Sequence, residues 1–167
     1  GTYTIVWTFD DGNGNTSTQN QTVIVDDTIA PIADLAYLPT ITGQCSATVT
    51  APTATDACSG TITGTTSNPL SYNIQGTYTI VWTFDDGKGN TSTQTQTVIV
   101  DDTTAPIADL ASLSTITGQC SATVTAPTAT DTCAGSITGT TSSPLSYNTQ
   151  GTYTIVWTFD DGKGNTS

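Results

Sequence analysis

Histidine, glutamate, arginine and methionine are all missing from these 167 residues. The commonest general base and the usual nitrogen ligand of zinc are therefore gone, and proton transfer would fall to Asp, Lys or Tyr alone. Positive charge is nearly missing too: Lys88 and Lys163 stand against fourteen acids, every one an aspartate, for a net charge of −12. Such a surface repels phosphate backbones, which need Lys and Arg to displace counterions, so nucleic acid is excluded as a partner. Anionic membrane surfaces are disfavoured on the same ground. No apolar run approaches the roughly 20 residues that span a bilayer, and no secretory leader is recognisable. The chain reads as soluble, with no direct membrane insertion and no enzymatic toolkit.

What is present is repetition. "GTYTIVWTFDDG" begins at Gly1, Gly76 and Gly151, a period of 75 residues, and residues 1–92 laid on 76–167 differ at ten positions, among them Asn13/Lys88, Tyr37/Ser112 and Ala57/Thr132. The runs "VIVDDTIAP" and "VIVDDTTAP" end a β-branched stretch with Asp-Asp-Thr and then Pro, the punctuation of a strand end followed by a short stiff link. The divisions expected are 1–27, the last strands of a preceding copy; 28–102, a complete copy; and 103–167, a copy without its last strand. Cut in this way, the chain is expected to be a segment of a longer array.

All periodic stretches alternate with period two, the signature of half-buried strands. Tyr78, Ile80, Trp82 and Phe84 share one face of "TYTIVWTF", with Thr77, Thr79, Val81 and Thr83 on the other. Trp7, Trp82 and Trp157 share that inward parity and are expected in cores. "SATVTA" (46–51) turns Ala47, Val49 and Ala51 inward, and "TQTVIV" (95–100) turns in Val98 and Val100. Further strands are expected near 32–35, 61–66 and 70–74. Six or seven short strands with intervening turns predict an all-β fold of tandem immunoglobulin- or fibronectin type III-like antiparallel sandwiches, with a barrel as the alternative. A unit of this size buries little more than about 60% of its unfolded surface, so a staple would help.

Cys45 and Cys58 lie thirteen positions apart, as do Cys120 and Cys133. Zinc would need further sulfur or nitrogen ligands, and none exist. Free buried thiols are one reading. A disulfide inside each copy, Cys45–Cys58 and Cys120–Cys133, is the reading adopted, because small exported domains with paired cysteines are usually cross-linked. A straight strand over 46–51 rises about 20 Å, whereas bridged Cα atoms lie within about 7 Å. "PTATDAC" must then double back in a hairpin-like return near Ala51 and Pro52.

The segments "DDTTAP", "GQCSATVTAPTATD", "GTYTIVWTFDDGKGN" and "TQTVIV", in that order and spacing, resemble the hyalin repeat (HYR), an immunoglobulin-like extracellular module. Near-identical Thr-rich tandem copies are similar to the arrays of giant Bacteroidota surface adhesins of the SprB gliding-motility type. That resemblance implies type IX secretion and display as a long filament on the outer membrane. Where many members carry a further cysteine pair, near the domain start and in the last strand, this chain has none. The resemblance also implies O-glycosylation of Thr28 and Thr103, each in an Asp-Thr-aliphatic or Asp-Thr-Thr pattern.

The paired aspartates of "FDDGKGN" are the remaining candidates. Consecutive strand residues leave on opposite faces, so Asp85 and Asp86 cannot converge on one substrate as a catalytic pair. Asp-Gly and Gly-Asn favour a hairpin connection, with positive φ and side-chain to backbone hydrogen bonds. In a sandwich of this kind the last hairpin lies at the end where the chain enters, which would set Asp26 and Asp27 near Asp85, Asp86 and Asn90, and Asp101 and Asp102 near Asp160, Asp161 and Asn165. Two readings stay open: turns with solvated linker acids, or a junction Ca2+, which accepts six to eight oxygen ligands. Asp56 and Asp131 could join such a site only without the hairpin return near Ala51. The functional expectation is a stalk or spacer repeat whose partners are the neighbouring repeats. The alternative is a module binding surface polysaccharide or other surface proteins by avidity, through residues such as Tyr37 or Tyr72.

Overall fold

The computed structural model describes all 167 residues. It is all-β, with no helix and hence none long and apolar enough to cross a membrane. Strands β1 (Thr2–Asp10) and β2 (Thr16–Ile24) form an antiparallel hairpin in register from Thr2↔Ile24 to Asp10↔Thr16. β3 (Ile32–Ala33), β6 (Thr53–Asp56) and β7 (Gly60–Thr63) make a three-stranded antiparallel sheet in the order β3-β6-β7. β5 (Ala47–Thr48) pairs with β8 (Ser71–Tyr72). β4 (Ile41–Gly43) lies parallel on β10 (Thr91–Val100), which continues to β9 (Gly76–Asp85). The same pattern returns one period later, with β11 (Ile107–Ala108), β13 (Thr128–Asp131) and β14 (Gly135–Thr138) in one sheet and β12 (Ala122–Thr123) on β15 (Ser146–Tyr147). Several small antiparallel sheets of this kind are those of an immunoglobulin-like β-sandwich, as expected, although the β4–β10 pairing is parallel.

The chain divides into two compact units. One comprises 1–38, 51–66 and 81–94; the other comprises 39–50, 67–80 and 95–167. In the first, Ala54 of β6 and Trp82 and Phe84 of β9 are buried, and Thr65 bridges Thr83. In the second, Ala47, Val49, Tyr72, Ile80, Val98 and Val100 are buried, with Ala129 and Phe159. β9 keeps its alternation along its length: Ile80, Trp82 and Phe84 are buried while Val81 is exposed. The threonines between them keep that face wet and favour the strand through Cβ branching.

Two sequence expectations are corrected here. Trp7 is 52% exposed and Trp157 half-buried, whereas Trp82 is 1% exposed. Residues 1–27 supply one two-stranded hairpin and no facing sheet, so the inward parity of Trp7 finds nothing to pack on; its indole N–H donates instead to the Gln21 side chain. Second, the return near Ala51 does not form. After Val49 the chain runs on through Pro52 into β6, which takes its ladder partners from β3 and β7 and not from 46–51.

That continuation decides the cysteines. Without a return of β6 onto residues 46–51, nothing in the ladder pairing brings residue 58 back to residue 45. Cys45 bonds Cys133 instead, with Cα atoms 5.0 Å apart and 88 residues between them, and Cys58 and Cys120 are free and exposed. The predicted Cys45–Cys58 and Cys120–Cys133 bonds are therefore replaced by one that joins consecutive 75-residue copies. Gly43 makes the presenting loop: a Cβ there would sit 1.9 Å from the Ser46 carbonyl oxygen, so only glycine allows the tight return that holds Cys45.

Candidate functional site

The first candidate site grows from the turn between the long strands β9 and β10, and the second from the equivalent turn at 160–165, flanked by isolated bridges. Gly87 and Gly89 adopt φ of 73° and 105°, which L side chains rarely tolerate. The first aspartate of the pair, Asp85, is exposed and caps the Gly87 N–H. The second, Asp86, is buried: its Oδ1 accepts the N–H groups of Lys88 (2.7 Å) and Asn90 (3.0 Å), and its Oδ2 accepts the Asn90 amide at 2.6 Å. Burial works to raise the Asp86 pKa, but those hydrogen bonds and the Lys88 charge outweigh it and leave the carboxyl below its ordinary value. Asp161 repeats the arrangement with Lys163 and Asn165, and its pKa is likewise lowered against the pull of burial.

Asn90 then ties the turn to the link, donating to the Asp27 carbonyl at 3.1 Å; Asn165 donates to the Asp102 carbonyl at 2.9 Å. The β6–β7 turn completes the assembly. Asp56, buried, accepts the N–H groups of Cys58 and Ser59 on Oδ1, and the Ser59 hydroxyl donates to the Asp86 carbonyl. Asp131 is held in the same way by Cys133 and Ala134. Ligand atoms of Asp27, Asp56 and Cys58 lie within 4.8 Å of one another, and so do those of Asp102, Asp131 and Cys133.

Of the residues singled out in the sequence, the structure gathers one aspartate from each pair. Asn90 links the Asp86 carboxylate to the Asp27 main-chain carbonyl, and Asn165 links Asp161 to that of Asp102. The carboxylates that meet, however, are Asp27 with Asp56 and Asp102 with Asp131, while Asp86 and Asp161 engage both oxygens inside their own turns. Asp26, Asp85, Asp101 and Asp160 are exposed and stay outside the clusters, because alternate residues of an extended chain leave on opposite faces. Asp56 and Asp131 join, since the hairpin return that would have removed them does not form. Sequence reasoning missed Ser59 and the loop at Gly43–Gln44. The Gly43 carbonyl accepts the Asp101 N–H at 2.9 Å, and the Gln44 side chain accepts from Thr103 N–H at 2.9 Å and donates to its hydroxyl at 3.0 Å. No periodicity in the sequence marks these contacts, which arise between positions about 60 residues apart.

The depression lined by Tyr72, Ile74 and Tyr78 carries no carboxylate. Tyr72 is buried against Tyr78, ring centroids 4.5 Å apart, so it offers no exposed binding ring. Tyr37 is 89% exposed.

Residues 27–100 match the family model described as an HYR-like domain with four cysteines. The match supports a hyalin-repeat-like domain over those residues, an adhesion-type immunoglobulin-like fold that is not that of a known enzyme family, and with the disulfide it is consistent with an extracellular location. No curated protein and no solved structure matches the chain.

Proposed function

We propose that this chain is a structural spacer of an extracellular adhesive protein, in which a 75-residue unit spanning 28–102 is repeated to give reach. The observation that carries the reading is the Cys45–Cys133 bond, which joins positions in consecutive copies. A cross-link there opposes bending and pulling apart at the junction, a mechanical property, whereas a cross-link inside each copy would leave the link free to hinge. In an array of such copies the same pairing rule gives every interior copy two bonds, one through its first cysteine and one through its second. The hydrogen bonds of Gln44 to Thr103 stiffen the same junction.

At a finer level, the proposed setting is a filament of a SprB-type surface adhesin of Bacteroidota, exported by type IX secretion, held at the outer membrane through other parts of the protein, and serving gliding motility or surface attachment. The near identity of the copies and the scarcity of Lys support it. Thr28 and Thr103, both exposed, suit O-glycosylation, and an intact mass above the sequence mass would reveal it. The second reading, a polysaccharide- or protein-binding module, is favoured by the exposure of Tyr37. A glycan and cell-surface binding assay on this chain separates the two: the spacer reading expects no saturable binding, and saturable binding lost in Tyr37→Ala would overturn it.

A further inference from the structure

Four aspartate side chains withdrawn from water leave one oxygen each without a hydrogen-bond donor, and only that of Asp27 has a cation near it, the Lys88 ammonium at 3.7 Å. In Asp27, Asp56, Asp102 and Asp131 the Oδ1 atom accepts backbone N–H groups, from Ile29, Cys58 with Ser59, Thr104, and Cys133 with Ala134 respectively. The Oδ2 atom of every one is buried and has no hydrogen-bond donor. Asp56, Asp102 and Asp131 are only 4–5% exposed, and the Asp27 side chain 7%. Two carboxylates meeting within 4.8 Å, each with a lone pair set withdrawn from water, repel each other and lack a donor. The same unsatisfied oxygens occur twice, in the same positions of the period, offset in the first pair alone by the Lys88 charge.

We propose that each pair, Asp27 with Asp56 and Asp102 with Asp131, holds a divalent cation, and that the cation is Ca2+. The donor set decides the metal. Cys58 is a free thiol beside the first pair, but Cys133 beside the second is tied up in the disulfide. The feature shared by both sites is therefore oxygen alone, which suits hard cations over Zn2+ or Cu+. Mg2+ demands near-ideal octahedral geometry and dehydrates reluctantly, whereas Ca2+ accepts a partial protein cage completed by water. The sites are not equal. The Lys88 ammonium lies 3.7 Å from Asp27 Oδ2 and competes for the first site. Lys163 makes no such ion pair with Asp102, so the second site fills at lower Ca2+.

Equilibrium dialysis of the full chain, stripped with EDTA and returned to CaCl2, tests this directly. Two ions per chain are expected, with dissociation constants on the order of 10⁻⁴–10⁻³ M, as in extracellular modules, and a higher Tm in Ca2+ than in EDTA. Asp131→Asn should bind one ion fewer, and Lys88→Ala should tighten the weaker site severalfold. The wild-type stoichiometry stands even where a variant folds poorly. No bound ion up to about 10 mM Ca2+ overturns the proposal. So does undiminished binding in a folded Asp102→Asn/Asp131→Asn/Asp27→Asn variant, which would assign the ions to the diffuse acidic surface.

Discussion

Asn90 is the residue on which the turn and the link both depend. Its amide reaches Asp86 Oδ2 and the Asp27 carbonyl together, and its own N–H is taken by Asp86. Asn90→Ala leaves a partly buried carbonyl and a buried carboxylate short of donors, and should cost about 1–3 kcal/mol, read as a lower midpoint in urea. The titration of the partner follows. Asp86, Asp161, Asp34 and Asp109 all have pKa values lowered below 3.8 in the folded chain, the last two chiefly by threonine hydroxyls that donate to them. A depressed carboxyl contributes stability that is complete above its unfolded pKa and is lost as pH falls through its folded pKa. Thermal stability should therefore hold from neutrality to about pH 5 and fall steeply below about pH 4. In Asn90→Ala the fall should be shallower, since Asp86 loses its principal side-chain donor. A Tm that instead rises on acidification in this range would contradict the hydrogen-bonding described.

Strand β9 shows how far an element's fate lies outside its own sequence. "TYTIVWTF" is identical in β1 and β9, and both are strands. Yet β9 buries Ile80, Trp82 and Phe84, while Ile5, Trp7 and Phe9 of β1 are all exposed. Trp82→Ala should destabilise by about 3–5 kcal/mol, the usual range for emptying a buried aromatic site. Trp7→Ala, at the same position of the period, should fall within about 0.5 kcal/mol, as exposed substitutions do. Denaturant titration of the two variants checks the contrast, and equal losses would mean that the hairpin face of β1 is covered in solution. Strand assignment was legible here because period-two alternation is a local property. β4 and β6 were not legible, because "ITG" and "TATD" are too short to show a period, and only their partners make them strands.

At the scale of the whole molecule the cysteines matter most. Non-reducing proteolysis should yield a peptide pair linked through Cys45 and Cys133, with Cys58 and Cys120 open to alkylation on the folded chain. Closing a loop of 88 residues is worth on the order of 4 kcal/mol in the chain-entropy model. Reduction should accordingly lower Tm by several degrees and leave the strand content unchanged. Recovery of Cys45 linked to Cys58 would restore the hairpin return near Ala51 and remove the mechanical argument for a spacer. Gly43→Ala offers a second handle, since the clash it introduces at Ser46 should raise free thiol at Cys45 and Cys133.

Composition, the 75-residue period and the alternation of Thr with Ile, Val, Trp and Phe were enough by themselves to determine an all-β repeat protein and to point at the paired aspartates, because each of these signals is carried by neighbours in the chain. Which aspartate of each pair turns inward, whether Asp56 and Asp131 join them, and which cysteine meets which were decided only in three dimensions. The first follows from how the linker and the turn are set against each other, and the other two hang on the path taken after Val49, where β6 pairs with its neighbour β7 and with β3, some 20 residues earlier, and not with residues 46–51.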